Sequence, residues 1–284
     1  MEVRNGRSQR KNHHVTGGTS GIGEKIVEIF VEEGAKVVVA ARRQAEGQAL
    51  EKRLKVRLVR TDVASEADVK VMIERTVEWF GRVDCLVNNA GVSAPMISIT
   101  EIDVASIDQI LAINVRGVLL GIKHVAPVML AQGGGSIINI GSVAGMRGGA
   151  SGHIYSASKA AVHSITQSAA AELGEKRIRV NSVVPGGIVT GIFAKAAGLE
   201  GAKADRAAEA AKELFASIQP IPRAGATEDI AHAAVYLASD GASFVNGHNL
   251  VVDGGLTAVG RGWAQSVAGR AEIAKRLRAA AAAL

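Results

Sequence analysis

TGGTSGIG at residues 16–23 is the stretch from which the fold of this chain can be read. Its glycines have the spacing G-x-x-x-G-x-G, and a helical pattern follows at once. A glycine-rich loop that opens a helix lets the backbone approach a pyrophosphate, which the free N–H groups of the first turn then hold. Alone, such a loop is equally typical of an ordinary tight turn. The predicted phosphate-binding residues are Gly17, Thr19, Ser20, Gly21, Ile22 and Gly23.

Downstream of the loop, short β-branched runs alternate with longer helical patterns. This alternation predicts βαβ units, hence an α/β fold in three layers with a doubly wound, Rossmann-like parallel sheet of about seven strands. The first strand precedes Gly17, and the others are predicted at Lys36–Ala41, Val56–Val59, Cys85–Val87, Ser136–Ile140, Ile178–Val184 and Leu250–Val252. The main helices are predicted at Gly21–Glu33, Glu66–Phe80, Ile107–Ala131, Ile154–Leu173 and Thr227–Ala238.

Composition and charge distribution suggest one domain with two basic ends. The 284 residues are 48% hydrophobic but only 3% aromatic, so the core must be aliphatic. We expect a basic tail at 1–14, a single domain at 15–255 with a helical flap at about 191–217, and a basic extension at 256–284. Residues 1–14 carry a net charge of +3 and residues 256–284 carry +4, so the rest of the chain sums to −1 within the total of +6. Positive charge confined to the two ends favours solvated tails over a nucleic-acid surface.

The cellular setting is predicted from the scarcity of cysteines and of long apolar runs in the sequence. The single cysteine, Cys85, cannot form an internal disulfide, which favours a reducing compartment. We see no run approaching the roughly 20 apolar residues that span a bilayer, and the polar, basic N-terminus does not resemble a secretory signal. The expectation is therefore a cytoplasmic protein without a membrane or nucleic-acid partner.

The end of the second strand bears on which nucleotide would bind. A carboxylate about 20 residues after the glycine loop commonly binds the adenosine ribose, but that strand ends in Ala41, followed by Arg42 and Arg43. A guanidinium can bind a 2′-phosphate that a carboxylate would repel. The sequence therefore favours NADP, with NAD as the alternative; two solvated arginines at a helix start are the other interpretation.

Tyr155 and Lys159 form the predicted catalytic pair. Spaced i, i+4 in a helical pattern, they share one helix face, and a nearby ammonium lowers the pKa of a tyrosine so that it can exchange protons. Ser142 follows an apolar strand, where its hydroxyl could polarise a substrate carbonyl. Asn114 lies inside a helix that it does not favour, and a water that it holds could relay protons to Lys159.

Together these motifs resemble the short-chain dehydrogenase/reductase family, and the resemblance spans about residues 15–255. Each motif is weak alone, but the set is specific. The matching stretches are TGGTSGIG at 16–23, Asp62 and Val63, NNAG at 88–91, Asn114, Ser142, YSASK at 155–159, Pro185 and Gly186 with Ile188 and Thr190, LASD at 237–240 and VDGG at 252–255.

The resemblance implies an NAD(P)-dependent oxidoreductase with defined roles for these residues. Tyr155 would exchange a proton with the substrate oxygen, and Lys159 would lower the pKa of Tyr155 and bind the nicotinamide ribose. Ser142 would hold that oxygen, and Asn114 would complete the relay. The remaining cofactor contacts would be Asp62 and Val63 on adenine, Asn89, Ala90 and Gly91 on the adenosine side, Pro185 and Gly186, and Ile188 and Thr190 on the carboxamide. The family usually forms homotetramers, so a tetramer or dimer is expected.

The first strand departs from the family pattern. An apolar run normally precedes the glycine loop, but here the sequence is KNHHV at residues 11–15. A central parallel strand is buried on both faces, and buried Asn12, His13 and His14 would need polar partners. Adjacent histidines also suggest a metal, but no carboxylate or cysteine cluster accompanies them, so no metal site is predicted.

Two functions from different classes remain. The first is a carbonyl reductase or alcohol dehydrogenase, and the second is a non-catalytic NAD(P)-binding sensor or partner protein, which the polar first strand and the long basic tail would suit. A sugar-nucleotide epimerase would need a larger C-terminal substrate domain. Candidate pocket residues are small or apolar and favour a neutral hydrophobic or polyol-like substrate: Val143, Ala144, Met146, Gly148, Ile154, Gly187 and Phe193.

Overall fold

A seven-stranded, wholly parallel sheet forms the centre of the computed structural model, which describes residues 11–192, 209–259 and 262–282. The strand order is β3-β2-β1-β4-β5-β6-β7. The chain reverses its direction of winding between β1 and β4, and ligands of such sheets bind at the carboxyl ends of the strands there. The strands are β1 (Asn12–Thr16), β2 (Lys36–Ala41), β3 (Arg57–Arg60), β4 (Cys85–Asn88), β5 (Gly135–Ile140), β6 (Ile178–Pro185) and β7 (Asn249–Val252).

Helices cover both faces of the sheet, so the predicted three-layer α/β fold is confirmed. Two details differ from the sequence prediction: a helix at 44–54 was not predicted, and the predicted helix Ile107–Ala131 is interrupted by a π-helical turn at Ala112–Arg116. The α-helices among the described residues are α1 (Gly21–Glu32), α2 (Gln44–Leu54), α3 (Glu66–Phe80), α4 (Val104–Leu111), α5 (Gly117–Ala131), α6 (His153–Gly174), α7 (Lys212–Ile218), α8 (Thr227–Ala238) and α9 (Trp263–Ala282).

The core consists of two aliphatic layers, one on each face of the sheet. On one face, α1 and α8 pack their apolar side chains, such as Phe30 and Ile230, against the strands. On the other face, α3, α5 and α6 do the same, with Met72 and Met129 among the fully buried residues. Each such side chain contributes about 1.5–3 kcal/mol through burial. Cys85 lies in the first layer, where burial raises the pKa of its thiol to about 12.

The polar strand β1 lies in the middle of this sheet, paired with β2 and β4. Its first residues therefore belong to the core and not to the basic tail predicted at 1–14. The Asn12 backbone N–H donates to an Asp84 carboxylate oxygen at 2.8 Å, and His14 Nδ1 bonds to Thr76 Oγ1 at 2.9 Å. The His13 ring stacks on Phe30 with centroids 4.2 Å apart, but neither of its ring nitrogens has a hydrogen-bond partner among the described residues.

The flap and the two ends are described only in part. Of the predicted flap, residues 193–208 lie outside the described residues, and α7 forms its C-terminal part. The extension beyond residue 255 contains α9, in which Val267 and Ile273 are about half exposed. These two side chains are therefore not enclosed by the described part of the chain.

One helical segment passes a length and composition test for a membrane span, contrary to the prediction from the sequence. It is Val104–Ala131, which combines α4, the π-helical turn and α5, and 44% of its most apolar window is buried inside the fold. The core helix of a soluble protein passes the same test, so this segment alone is weak support for a membrane role.

Candidate active site

The glycine loop joins β1 to the first turn of α1, at the point where the sheet reverses its winding. Gly17 and Gly21 have φ angles of +66° and +57°, which side-chain-bearing residues rarely adopt. At Gly23, a built Cβ would lie 2.3 Å from Asn89 Nδ2 and 2.4 Å from the Gly17 oxygen. The loop therefore requires glycine at position 23, because any side chain would collide with Asn89 and Gly17. Without side chains, its backbone can approach a ligand at the carboxyl edge of the sheet closely.

Hydrogen bonds hold this loop against the end of β4. The hydroxyl of Thr16 accepts from the backbone N–H groups of Asn89 and Ala90 at 3.0 and 3.1 Å. The Asn89 amide donates to the carbonyl oxygens of Thr16 and Gly17 at 2.9 and 3.2 Å. The side chain of Asn89 thus fixes the shape of the glycine loop.

A second buried network positions the catalytic helix on the sheet. Asn88 on β4 donates through Nδ2 to Asn139 Oδ1 on β5 at 2.9 Å, and Asn139 donates to Thr166 Oγ1 on α6 at the same distance. The Thr166 hydroxyl in turn donates to the Val162 carbonyl oxygen at 2.8 Å. Because buried polar groups are costly when unpaired, this chain of bonds restricts α6 to one register.

An open cavity of about 980 Å³ runs along the carboxyl edge of the sheet, above the glycine loop. Every residue that the sequence predicts to contact the cofactor lines it. The sequence prediction missed other lining residues whose side chains are small or apolar and carry no motif. These include Ala40, Ala41, Thr61, Val92, Ile113, Ile140, Gly141, Gly191 and Ile192, together with the polar Gln109 and the charged Glu46.

One end of the cavity carries the two arginines that follow β2. Arg43 donates through Nη2 to both the carbonyl oxygen and the hydroxyl of Thr19 at 3.1 Å, and lies 3.5 Å from Glu46. Arg42 is exposed and has no hydrogen bond or ion pair with the described residues. Asp62 lines the same end, with one carboxylate oxygen accepting from the Ala64 N–H at 3.0 Å. The cavity therefore has a cationic rim at this end.

The catalytic pair lies at the other end, on the face of α6 that packs against the sheet. Lys159 is buried, and its ammonium donates to the Ile140 carbonyl oxygen at 2.8 Å. Burial lowers the pKa of Lys159 to about 8. The ammonium nitrogen is 5.6 Å from the centre of the Tyr155 ring, so it lies over the face of the phenol.

Ser142 lies where β5 ends, as the sequence predicts, and acts directly on Tyr155. Burial raises the pKa of Tyr155, and a hydrogen bond with Ser142 opposes that rise. The expected lowering of the Tyr155 pKa by Lys159 is not found in the chain alone, because burial dominates and the ammonium is held by the Ile140 carbonyl. The Ser142 hydroxyl also accepts from the Ala144 N–H at 3.2 Å, which orients it.

Asn114 lies behind the cavity and does not line it. It is buried inside the π-helical turn, and such turns are frequent at functional sites. Its amide donates to the Val92 carbonyl oxygen at 2.8 Å and to Ser158 Oγ at 3.0 Å, and its Oδ1 accepts from the Val92 N–H at 2.9 Å. Both amide hydrogens are used, so a water relay at this position would use the backbone carbonyl instead.

The side of the catalytic pair away from the glycine loop is apolar. Ala144 and Tyr155 form a small buried cluster with Ala94 and Ile110, and Val92 and Ile154 pack against it. Met96, Ile99 and Met146, which lie in the segments that follow Ala94 and Ala144 in the sequence, are more than half exposed. The two loops that carry them meet, since a Cβ built at Gly152 would lie 2.4 Å from the Pro95 oxygen.

The other candidate pocket residues have differing surroundings. Val143 is buried, whereas Gly148 is exposed with open space where a Cβ would lie. Gly187 is covered by α7, because a Cβ built there would be 3.1 Å from the Phe215 ring. Phe193 lies outside the described residues. Among the described residues, no group of three or more His, Cys, Asp or Glu side chains could hold a metal ion.

Comparisons with known proteins agree with this geometry. The family model described as "Enoyl-(Acyl carrier protein) reductase" matches residues 17–257. The (+)-borneol dehydrogenase 2 of Salvia officinalis is 43% identical, covering 86% of this chain and 88% of that protein, and the short-chain dehydrogenase reductase ATA1 of Arabidopsis thaliana is 42% identical, covering 86% and 91%. A solved short-chain type dehydrogenase/reductase from Mycobacterium marinum superposes with a TM-score of 0.80 at 30% identity, covering 90% of this chain and 99% of that one.

Proposed function

Because the chain belongs to the short-chain dehydrogenase/reductase family and is an NAD(P)-dependent oxidoreductase of alcohols or carbonyls, we propose that Tyr155 is its catalytic acid/base. The single observation that carries this proposal is the placement of Tyr155, Ser142 and Lys159 around one end of the cavity whose other end is the glycine loop. The comparisons give no support to a non-catalytic sensor.

The residues present fit a dinucleotide. The positive φ angles of the loop and the missing Cβ at Gly23 leave backbone N–H groups free at the start of α1, where pyrophosphate would bind. Asp62 and Val63 would contact the adenine, Asn89 to Gly91 the adenosine side, and Pro185, Gly186, Ile188 and Thr190 the carboxamide end. When bound there, the nicotinamide supplies the carbon that accepts or donates a hydride.

The residues of the chain handle the proton. In the oxidation direction, Tyr155 would act as the phenolate after its own proton has left through the relay; the substrate O–H bond breaks and its proton passes to the phenolate oxygen, while the adjacent C–H bond gives up its hydride to the bound nicotinamide. The hydroxyl of Ser142 holds the substrate oxygen and stabilises the charge that develops on it. Lys159, protonated below a pKa of about 8, holds the ribose and supplies positive charge beside the phenol. The backbone of Asn114 would complete the relay to solvent.

The cationic rim supports NADP as the cofactor. Arg42 is exposed and has no partner among the described residues, and Arg43 is bonded to Thr19 beside the glycine loop, so both guanidinium groups line the end of the cavity at which a 2′-phosphate is proposed to bind. No carboxylate ends β2, which terminates at Ala41. Two carboxylates, Glu46 and Asp62, line the same end; Glu46 is paired with Arg43, and Asp62 accepts from the Ala64 N–H, so Arg42 is the charged side chain there without a partner among the described residues.

The apolar side of the site supports a neutral, bulky and hydrophobic alcohol or ketone over a polyol. Val92 and Ile154 pack against the buried cluster that includes Tyr155, and Met96 and Met146, close in sequence to its members Ala94 and Ala144, are 72% and 52% exposed. Exposed apolar groups of this kind mark binding surfaces. The relative from Salvia officinalis is named for (+)-borneol, an alcohol.

We also propose that the chain forms a homo-oligomer and works in the cytoplasm. Val104 and Leu119 on the α4–α5 segment are 70% and 47% exposed, and Phe244 is fully exposed. A second copy covering these side chains would remove them from water. The buried, unpaired Cys85 is consistent with a reducing compartment.

Replacing Tyr155 with Phe tests the acid/base role, and the chain contains a matched control. We expect kcat to fall by about 100-fold or more, because general acid–base catalysis contributes on this order. The dissociation constant of NADPH, measured by nicotinamide fluorescence, should stay within about threefold. Tyr236→Phe removes the other tyrosine hydroxyl of the sequence and should change neither quantity. Turnover that survives Tyr155→Phe would refute the role.

A panel of alcohols tests the substrate class. Alicyclic secondary alcohols should give a kcat/KM at least tenfold above that of sugar alcohols and of hydroxy acids of similar size. A preference for polyols, or an absolute requirement for a carboxylate on the substrate, would contradict the proposal while leaving the assignment of Tyr155 intact.

A further inference from the structure

Resting on the proposed roles of Ser142 and Tyr155, we propose that His163 is a positioning residue, whose imidazole fixes the backbone of Ser142 and so aims the serine hydroxyl at the phenol. His163 was not among the residues singled out from the sequence. It lies on α6 one turn beyond Lys159, on the same face as Tyr155 and Lys159.

The imidazole of His163 fills a space that glycine leaves open. A Cβ built at Gly141 would lie 2.5 Å from His163 Nε2 and 2.9 Å from its Cδ2. His163 is only 8% exposed, so the ring is packed against the backbone that leads from β5 into Ser142. Any side chain at position 141 would displace either the ring or the strand.

The same ring nitrogen contacts Ser142. The backbone N–H of Ser142 donates to His163 Nε2 across 3.5 Å, while the Ser142 hydroxyl is held by the Ala144 N–H. Ser142 is thus held at two points, its backbone from α6 and its side chain from the following turn. Because Ser142 in turn hydrogen-bonds Tyr155, the position of the imidazole affects the catalytic pair through a third residue.

This contact specifies one protonation state. Nε2 accepts a hydrogen bond only in the neutral ring with its proton on Nδ1. Burial lowers the pKa of His163, and the charge of Lys159 lowers it further. From the sheet, Gly141 and Ser142 face the ring, and neither carries a group that titrates near neutral pH. Protonation in acid would turn Nε2 into a donor that opposes the Ser142 N–H, so the neutral ring is required for positioning.

Nitrogen-15 NMR of histidine-labelled protein tests the geometry without any need for turnover. We expect the ring nitrogen shifts of His163 to show a proton on Nδ1 and none on Nε2. We also expect the midpoint of its titration to lie below the ordinary histidine value. His163→Gln identifies the signals. A proton on Nε2 near neutral pH would overturn the inference, whether or not a substrate has been found.

Matched amide variants test the effect on catalysis. The carbonyl oxygen of Gln can reach the place of Nε2, whereas the shorter Asn cannot, so His163→Gln should keep kcat within about threefold and His163→Asn should lose about tenfold. His163→Gln should also lose the decline of kcat that protonation of His163 causes in acid, with KM for the cofactor unchanged.

Two outcomes would contradict the positioning role: equal kcat values for the Gln and Asn variants, or an acid decline that His163→Gln leaves unchanged. Absence of turnover in the wild-type chain on every alcohol and ketone would instead count against the proposed function, and the NMR result would still decide the geometry of His163.

Discussion

At the scale of single residues, Arg42 and Arg43 have different environments although they are neighbours in the sequence. Arg43 is bonded to Thr19 next to the glycine loop, whereas Arg42 points into solvent at the rim. Removing Arg43 therefore changes the loop as well as the charge, and removing Arg42 changes the charge alone.

Alanine variants should separate these two contributions. Arg42→Ala should weaken NADPH binding by roughly tenfold and leave NADH binding unchanged, since one charge-assisted hydrogen bond contributes about 1.5–3 kcal/mol. Arg43→Ala should weaken the binding of both nucleotides. Fluorescence titration measures this, with the exposed Arg75→Ala as a control. Wild-type protein that prefers NADH would show that the cofactor is NAD.

Motif residues were predictable from the sequence, but their partners were not. Tyr155 and Lys159 were placed on one helix face by their spacing, and the structure agrees. The bond from Lys159 to the Ile140 carbonyl, and the saturation of the Asn114 amide by Val92 and Ser158, depend on backbone positions that no spacing encodes. His163 was missed because a single histidine on a helix carries no motif.

At the scale of elements, β1 is the strand in which pattern and structure conflict. Its polar residues predicted a poor central strand, yet it pairs on both sides in the middle of the sheet. The order of the βαβ units along the whole chain places β1 between β2 and β4, whatever its own side chains favour. The cost appears locally, because three imidazole nitrogens of His13 and His14 are buried without partners among the described residues.

These histidines should make stability depend on pH. Burial lowers the pKa of each from 6.5 to about 3, and Lys11 adds to the effect on His13. The contribution of the two neutral histidines to the free energy of unfolding is fully present above pH 6.5. It is lost as pH falls from there towards 3, because the unfolded chain then binds two protons that the folded chain does not. The slope is about 2.7 kcal/mol per pH unit within that window.

Urea unfolding between pH 7.5 and pH 5 measures this slope. His13→Leu should reduce the contribution by half, while His248→Gln, a change at an exposed histidine, should leave it unchanged. Identical pH dependence in His13→Leu and the wild type would show that His13 is not neutral and buried in the folded chain.

At the scale of the whole molecule, the wound sheet and its helices form one body, to which α9 is appended. Among its described side chains, Val267 and Ile273 remain 48% and 59% exposed, so these two bury little apolar surface. The alternation of strands and helices predicted the body, whereas the helical spacing of Val267, Ala271, Ala274 and Leu277 indicated only that a C-terminal helix could pack.

A chain that ends at Val259 should therefore fold and act like the full one. We expect the free energy of unfolding to change by less than about 1 kcal/mol, which corresponds to a shift in Tm below roughly 4 °C. Calorimetry measures the change in stability, and kcat measures the activity. Ile273→Glu in the full chain should likewise leave both quantities unchanged. A larger loss would mean that a second copy covers this helix.

The burial of Cys85 has a practical consequence for following the flap. It is the only cysteine in the sequence, and its thiol has no access to reagents and a pKa of about 12, so the reactive thiolate is absent at neutral pH. The wild-type chain should therefore not react with thiol-specific fluorescent dyes. A cysteine placed at Leu214, which is 61% exposed on α7, would take up a single dye and report the surroundings of α7 directly.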